Sequence, residues 1–178
     1  MMAGGIGATN YVVIGDTTGT TQVQMTSAVI WVDTLTSPAY AGTLDSIIAW
    51  VAPYSESRSL QFIIYKGTDS TVLDTTAVIT TGTETANTRY KAYFVNHGAV
   101  VADTRYFVGM FWVFGTHSYH PRGVSNATVV KWWYSGALDP AVLPSKLSGM
   151  TKTNVGRMAI VAYYSSATAV GQVIMMGN

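Results

Sequence analysis

The chain has 178 residues, of which 48% are hydrophobic and only 11% are charged, and its formal net charge is +1. This length suits one domain, whereas soluble domains usually carry roughly 25% charged residues. So small a net charge provides no basic field for nucleic acid and removes the long-range repulsion between copies. We therefore expect a protein that contacts other proteins, as a homo-oligomer or in a lattice, and no nucleic-acid partner.

Other protein classes are excluded by what the sequence lacks. There are no cysteines, so the fold has neither disulfides nor a thiolate metal site. The first residues do not have the basic and apolar regions of a signal peptide. The longest apolar run, residues 106–114, is far shorter than the ~20 residues of a membrane helix. We expect synthesis in a reducing cytoplasm and no membrane partner.

Threonine, valine, isoleucine and tyrosine dominate the chain, and short apolar runs alternate with turn-forming residues, as is typical of an all-β domain. The pattern predicts about eight strands, at residues 22–33, 43–52, 58–66, 72–80, 89–95, 105–114, 128–134 and 155–164. Eight strands of this length are too many for one flat sheet, so we predict a two-sheet antiparallel β-sandwich of jelly-roll type. The sixth strand is apolar on both faces, which predicts a central position covered on each side or a face toward a partner.

The composition divides the chain into three parts, two of which we predict to be flexible terminal segments. Residues 1–21 are a glycine-rich arm or lead strand, residues 22–165 the sandwich, and residues 166–178 a tail or added edge strand. The tail is apolar and uncharged beyond Ala167, which favours docking on a neighbour or pairing at a sheet edge. Two long stretches without a strand pattern, 115–127 and 135–154, are expected at one end of the sandwich.

Aromatic residues are numerous, with five tryptophans and eleven tyrosines, and Trp132-Trp133-Tyr134 is the densest cluster. Because adjacent residues in a strand face opposite sides, one of Trp132 and Trp133 should point outward. An outward tryptophan can anchor a protein interface or stack on a sugar ring. The alternative is that both tryptophans are ordinary core residues. The candidate interface residues are Ile6, Tyr11, Trp132, Trp133, Val173, Ile174, Met175 and Met176. The alternative is a sugar platform formed by Trp132, Trp133, Arg122 and Asn126.

Residues with catalytic or metal-binding chemistry are present but do not form a recognisable constellation. His117 and His120 are three apart, His97 is remote, and no acidic residue flanks the pair, so we interpret these as loop histidines rather than zinc ligands. A structural calcium held by loop oxygens is an alternative, and no other cofactor is expected. No nucleophile elbow or phosphate-binding loop occurs. We predict that the protein is not an enzyme.

Seven of the nine acidic residues are candidates, and they are dispersed along the chain, at Asp33, Asp45, Asp69, Asp74, Glu84, Asp103 and Asp139. A glycosidase needs two carboxylates that converge across a cleft, and nothing in this spacing indicates such a pair. Asp and Asn commonly bond their own backbone in turns. We therefore predict that these acids stabilise turns.

Five segments in a fixed order resemble a known family of domains. They are residues 46–51 after Gly42-Thr43-Leu44, residues 60–66 before a Gly-Thr-Asp turn, and then residues 102–109, 138–144 and 158–163. Together they resemble the jelly-roll domains that are common in tailed-phage genomes and are appended to microbial surface proteins. The likeness spans residues 22–165, but Lys66-Gly67-Thr68-Asp69 stands in place of the family's usual Asp-Ser-Gly-Gly turn, and the tail is additional.

The resemblance implies a β-sandwich used for binding or assembly, without catalytic residues. It implies a virion protein made in a host cytoplasm, foremost a decoration (cement) protein on the capsid surface whose partner is the major capsid protein or another virion protein. The alternative is a carbohydrate-binding or receptor-binding module of a tail fibre or surface protein, with a glycan as partner. A tail or collar subunit is a further alternative.

Overall fold

A computed structural model describes residues 11–16, 21–22, 30–51, 59–83, 88–114, 122–124, 131–134, 143–153 and 157–166. Every regular element in these ranges is a β-strand, so the all-β prediction is confirmed. No helix in the described ranges is long and apolar enough to cross a membrane. The strands are β1 (Tyr11–Asp16), β2 (Thr21–Gln22), β3 (Ile30–Thr36), β4 (Gly42–Val51), β5 (Ser59–Lys66), β6 (Val72–Thr75), β7 (Ile79–Thr80), β8 (Thr88–Tyr93), β9 (Ala99–Val100), β10 (Arg105–Phe114), β11 (Arg122–Val124), β12 (Lys131–Tyr134), β13 (Thr151–Thr153), β14 (Arg157–Met158) and β15 (Ile160–Ser166).

The strands form two main antiparallel sheets. The first sheet has the order β1-β15-β4-β8, with β9 also paired to β4. The second has the order β13-β12-β3-β10-β5-β6, with β7 also paired to β5. A small third sheet contains β14, β11 and β2. Four of the pairs are nested along the chain, because β1 pairs β15, β3 pairs β10, β4 pairs β8 and β5 pairs β6.

The main core lies between the inner faces of the two sheets. Its residues alternate along each strand, which is the period of two expected for a half-buried strand. In β4, for example, Ile47, Ala49 and Val51 are buried in this core. In β8 and just beyond it, Ala92 and Phe94 lie in the core while Lys91 and Tyr93 are exposed, as the sequence pattern predicts.

A second apolar cluster covers the opposite, outer face of the second sheet. It contains the sheet residues Ile30, Val32, Ile63, Tyr65, Phe107 and Phe111, and also Leu147. Leu147 belongs to residues 143–150, here called the strap, which crosses this face. The strap is held by hydrogen bonds from the Val72 N–H to the Ser145 carbonyl and from the Leu147 N–H to the Ser70 carbonyl, both at 2.9 Å.

The strap explains why β10 is apolar on both faces. Tyr106, Val108 and Met110 are buried in the main core, whereas Phe107 and Phe111 are buried in the outer cluster. The prediction of a central strand covered on each side is therefore confirmed. The described part of residues 135–154 differs from expectation, because it lies along a sheet face and adds β13 to the sheet edge instead of forming an end loop.

Strand boundaries agree best where the apolar alternation is regular. The predicted strands at 43–52, 58–66 and 105–114 correspond to β4, β5 and β10. The first predicted strand differs, since β3 continues to Thr36 and buries Leu35 before Pro38 prevents further pairing. The lead segment contains a true strand, β1, whose Gly15 adopts a φ of 145°, a conformation that favours glycine.

Candidate functional site

Most residues predicted to form the interface lie outside the described ranges. These are Ile6, Val173, Ile174, Met175 and Met176, together with Asn126 of the sugar platform and the histidines His117 and His120. For the other predicted residues the structure describes the backbone. Tyr11 pairs with Ser165 at the edge of the first sheet.

The predicted sugar platform is divided between two sheets at the level of the backbone. Trp132 lies opposite Val32, and Trp133 opposite Trp31, in the second sheet. Arg122 pairs with Gln22 in the small third sheet. The pairing therefore does not place Arg122 on a strand next to the two tryptophans.

The described residues include four exposed apolar side chains that the sequence analysis missed, here called the apolar rim. It comprises Tyr40, Val78, Val95 and Val101, whose side chains are 49–59% exposed. Tyr40, Val78 and Val95 lie in connections without Asp, Glu, Lys or Arg (37–41, 76–78 and 94–98), whereas the connection of Val101, residues 101–104, also contains the exposed Asp103. Exposed large apolar side chains are typical of a contact surface when they are grouped, and side-chain hydrogen bonds link the connections that carry these four.

Ser37 joins two of the rim connections. Its buried hydroxyl donates to the carbonyl of Val101 at 2.7 Å and accepts from the Thr104 N–H at 3.0 Å. The backbone adds bonds from the Ser37 N–H to the Thr104 carbonyl and from the Asp103 N–H to the Pro38 carbonyl. Tyr40 and Val101 are consequently carried by one hydrogen-bonded unit.

Asp74 joins the remaining connections. It is fully buried in β6, and its Oδ1 accepts from the backbone N–H groups of Thr75 and Asn96 and from the Asn96 side-chain amide. Its Oδ2 accepts from the Gly98 N–H at 2.9 Å. A buried carboxylate is tolerated only with such a set of donors. Because β6 is an edge of the second sheet and residues 96–98 follow β8 of the first, this side chain ties the two sheets together.

Two of the acids predicted to stabilise turns are therefore buried in strands. Asp74 is one, and the other is Asp33 in β3, whose Oδ2 accepts from the Met158 N–H at 2.6 Å. Asp69 does stabilise a turn, because its Oδ1 accepts from both the hydroxyl and the N–H of Thr71. These two hydrogen bonds, the hydroxyl first, lower the pKa of Asp69 below its ordinary value.

His97 is part of the rim connections and has a structural contact of its own. Its Nδ1 lies 2.9 Å from the Leu44 carbonyl oxygen, and because a carbonyl only accepts, Nδ1 carries the proton. The residue has a φ of 52°, in the left-handed region that non-glycine residues seldom adopt. Within the ranges that the structure describes, no three His, Asp or Glu side chains converge as metal ligands.

Tyr164 supports the rim from inside the core. Its hydroxyl donates to the Tyr40 carbonyl at 2.9 Å, and its ring is fully buried. Burial raises the pKa of Tyr164, and the nearby Tyr106 and Asp103 raise it further. The neutral phenol is therefore the form that the fold requires.

The rim offers methyl groups and one phenol ring on a backbone fixed by Ser37 and Asp74. A sequence signal for three of these positions is the absence of charge in residues 37–41, 76–78 and 94–98. No model of a known protein family and no curated protein matches this chain.

Proposed function

We propose that this protein is a structural component of a virion, a decoration protein that binds the outer surface of a capsid and stabilises it by adhesive contacts. The observation that carries this proposal is the apolar rim, with four large apolar side chains about half exposed, three of them on connections without formal charge. The small formal net charge of the whole chain, +1, supports the same function because it reduces the cost of placing many copies side by side.

The proposed mechanism is the addition of binding energy to the assembled shell alone. A ligand that binds only the assembled state stabilises that state by mass action. Stable protein interfaces bury about 1,200–2,000 Å² in total, so the rim forms the apolar centre of a larger contact. Burying the exposed part of each rim side chain contributes roughly 1 kcal/mol, and the sum is repeated at every site on the shell.

The nested pairing supports the assignment of the sandwich to the jelly-roll class. If its eight principal strands are numbered in chain order, strand one pairs with eight, two with seven, three with six and four with five. A long hairpin folded over on itself has this pairing, and a jelly roll is such a double-sheet arrangement of eight strands. A jelly-roll sandwich of this kind can present the connections between its strands to a partner protein.

Co-sedimentation with capsid shells assembled without the protein tests the proposed function. We expect saturable binding at a fixed ratio of protein to shell. The double variant Val95→Ser, Val101→Ser removes apolar contact from two exposed positions and should weaken binding on the order of tenfold, a loss of about 1.4 kcal/mol.

The matched control is Thr83→Ala with Ser148→Ala, two exposed positions outside the rim. It should bind as the unmodified protein does. Unmodified protein that stays in the supernatant at every shell concentration would refute capsid binding, and equal loss in both double variants would refute the role of the rim.

A further inference from the structure

A groove of about 380 Å³ lies on the outer face of the first sheet. This volume is within the range of ~300–1,000 Å³ that is usual for small-molecule sites. Its lining comes from β4, β8 and β15 and consists of Asp45, Ser46, Ile48, Arg89, Lys91, Tyr93 and Tyr163. The groove is distinct from the apolar rim and is built mainly from polar and aromatic side chains on regular strands.

The walls and floor of the groove follow from the strand register. Tyr163 of β15 lies opposite Ser46 of β4, and Ser46 lies opposite Tyr93 of β8. Two large aromatic residues thus flank a small one in the same row, with their Cα atoms two strand spacings apart, or about 9.5 Å. Ser46 is itself buried, so it forms the floor of the groove between the two tyrosine-bearing strands.

A β-bulge adds a carboxylate to the groove. The register of β15 against β4 shifts between Tyr163, which pairs with Ser46, and Tyr164, which pairs with Leu44, so Asp45 is the extra residue. Neighbouring residues of a regular strand face opposite sides, yet Asp45 and Ser46 both line the groove. Bulges re-aim side chains in this way and are common beside binding sites.

Two cationic side chains complete the lining. The Lys91 ammonium lies 4.6 Å from the centroid of the Tyr93 ring. This cation–π contact holds the positive charge beside the groove. Arg89 is two residues earlier on the same face of β8. Within the part of the chain that the structure describes, neither cation forms an ion pair with a carboxylate, so their donors remain available to a ligand.

We infer that this groove binds a carboxylated pyranose, a six-membered sugar ring that bears a carboxylate. Arg89 and Lys91 only donate hydrogen bonds and suit the sugar carboxylate, whereas Asp45 only accepts and suits sugar hydroxyls. The tyrosine rings present apolar faces and hydroxyls to the ring between them. A simple inorganic anion would gain nothing from Asp45 or from the aromatic walls.

Binding of a matched pair of ligands tests this inference. Methyl β-D-glucuronide and methyl β-D-glucoside share one ring and differ only in a carboxylate in place of a hydroxymethyl group. Titration into ¹⁵N-labelled protein should shift the amide resonances of β4, β8 and β15. The glucuronide should bind about tenfold more tightly, as one charge-assisted contact predicts.

Variants and a bare carboxylate define the outcomes. Lys91→Gln and Tyr163→Leu should each weaken glucuronide binding on the order of fivefold to tenfold, while the control Lys66→Gln, an exposed lysine outside the groove, should not. Equal affinity for both sugars, no shift of the groove resonances, or acetate binding as tightly as the glucuronide would overturn the inference. The site does not depend on the proposed capsid binding, so either proposal can fail alone.

Discussion

The carboxylate of Asp74 and the backbone N–H of Gly98 are joined by a 2.9 Å hydrogen bond between an edge strand of one sheet and the connection that follows an edge strand of the other. The backbone reinforces this junction with a bond from the Val95 N–H to the Thr75 carbonyl. The junction of the two sheets beside Val95 is therefore held by one buried acid together with backbone hydrogen bonds.

Asp74→Asn should destabilise the protein by about 2–3 kcal/mol. The amide can place an oxygen toward only one side, so its NH₂ group faces either the Gly98 N–H or the N–H groups of Thr75 and Asn96. Urea unfolding measures the loss. The control Asp69→Asn, at an exposed turn position, should change the free energy of unfolding much less, and equal effects of the two substitutions would contradict the assignment.

Gly109→Ala should destabilise the fold strongly, whereas Gly82→Ala should not. A Cβ at position 109 would clash with the carbonyl oxygen of Trp31 on the neighbouring strand, and a Cβ at position 82 would meet nothing within 4 Å. Overpacking inside a sheet costs about 1–3 kcal/mol and sometimes more. Circular dichroism melting compares the two variants, and a Gly109→Ala protein that melts with the unmodified one would show that β3 and β10 do not approach as described.

Leu147→Ala tests the role of the strap. The side chain is buried against the outer cluster of the second sheet, so its truncation should cost about 2–4 kcal/mol and increase binding of a hydrophobic dye to that face. Lys146→Ala, the exposed neighbour, is the control. A stable Leu147→Ala protein without added dye binding would mean that the strap does not cover the sheet.

Tyr164→Phe should have an effect that depends on pH. At pH 7 it removes the hydrogen bond to the Tyr40 carbonyl, at a cost of about 1 kcal/mol. The folded state raises the pKa of Tyr164, so above the unfolded value of about 10 the unfolded chain ionises first and stability falls with rising pH.

The phenylalanine variant has no ionisable group at this position, so its deficit in stability should shrink above pH 10. Urea unfolding at pH 7 and pH 10.5 measures the difference, with Tyr163→Phe as the control that should keep the alkaline loss. A deficit that is constant over this interval would contradict the prediction.

Several features were predictable from local pattern. The alternation in β8 places Ala92 and Phe94 inside, and the double apolar character of β10 indicates a strand covered on both faces, because period and composition report burial directly. The strap was not predictable, since residues 143–150 have no period, and their position depends on long-range bonds such as that from the Tyr65 hydroxyl to the Pro144 carbonyl.

The surfaces were harder to predict than the core. Asp45 and Ser46 line the same groove only because of a bulge, and a bulge is set by pairing with a distant strand. The rim unites residues as far apart as Tyr40 and Val101, which meet through Ser37. The sequence shows that Trp132 and Trp133 are adjacent aromatic residues, so they were predicted as a site. It does not show which connections lie close together in the fold.

Removal of residues 167–178 should leave the fold intact and weaken attachment to the shell. Every described strand pair lies before this segment, because β15 ends at Ser166. The sequence predicts that the apolar, uncharged tail docks on a neighbour. Unfolding curves and shell binding measure the two effects, and equal binding by the truncated and full-length chains would remove the tail from the interface.

A cryo-electron microscopy map of capsid shells saturated with the protein tests the central claim most directly. The account predicts density for the two-sheet body at symmetry-related positions on the outer surface, with Tyr40, Val78, Val95 and Val101 facing the shell. Bare shells at saturating protein, or density in which these four residues face solvent, would contradict it.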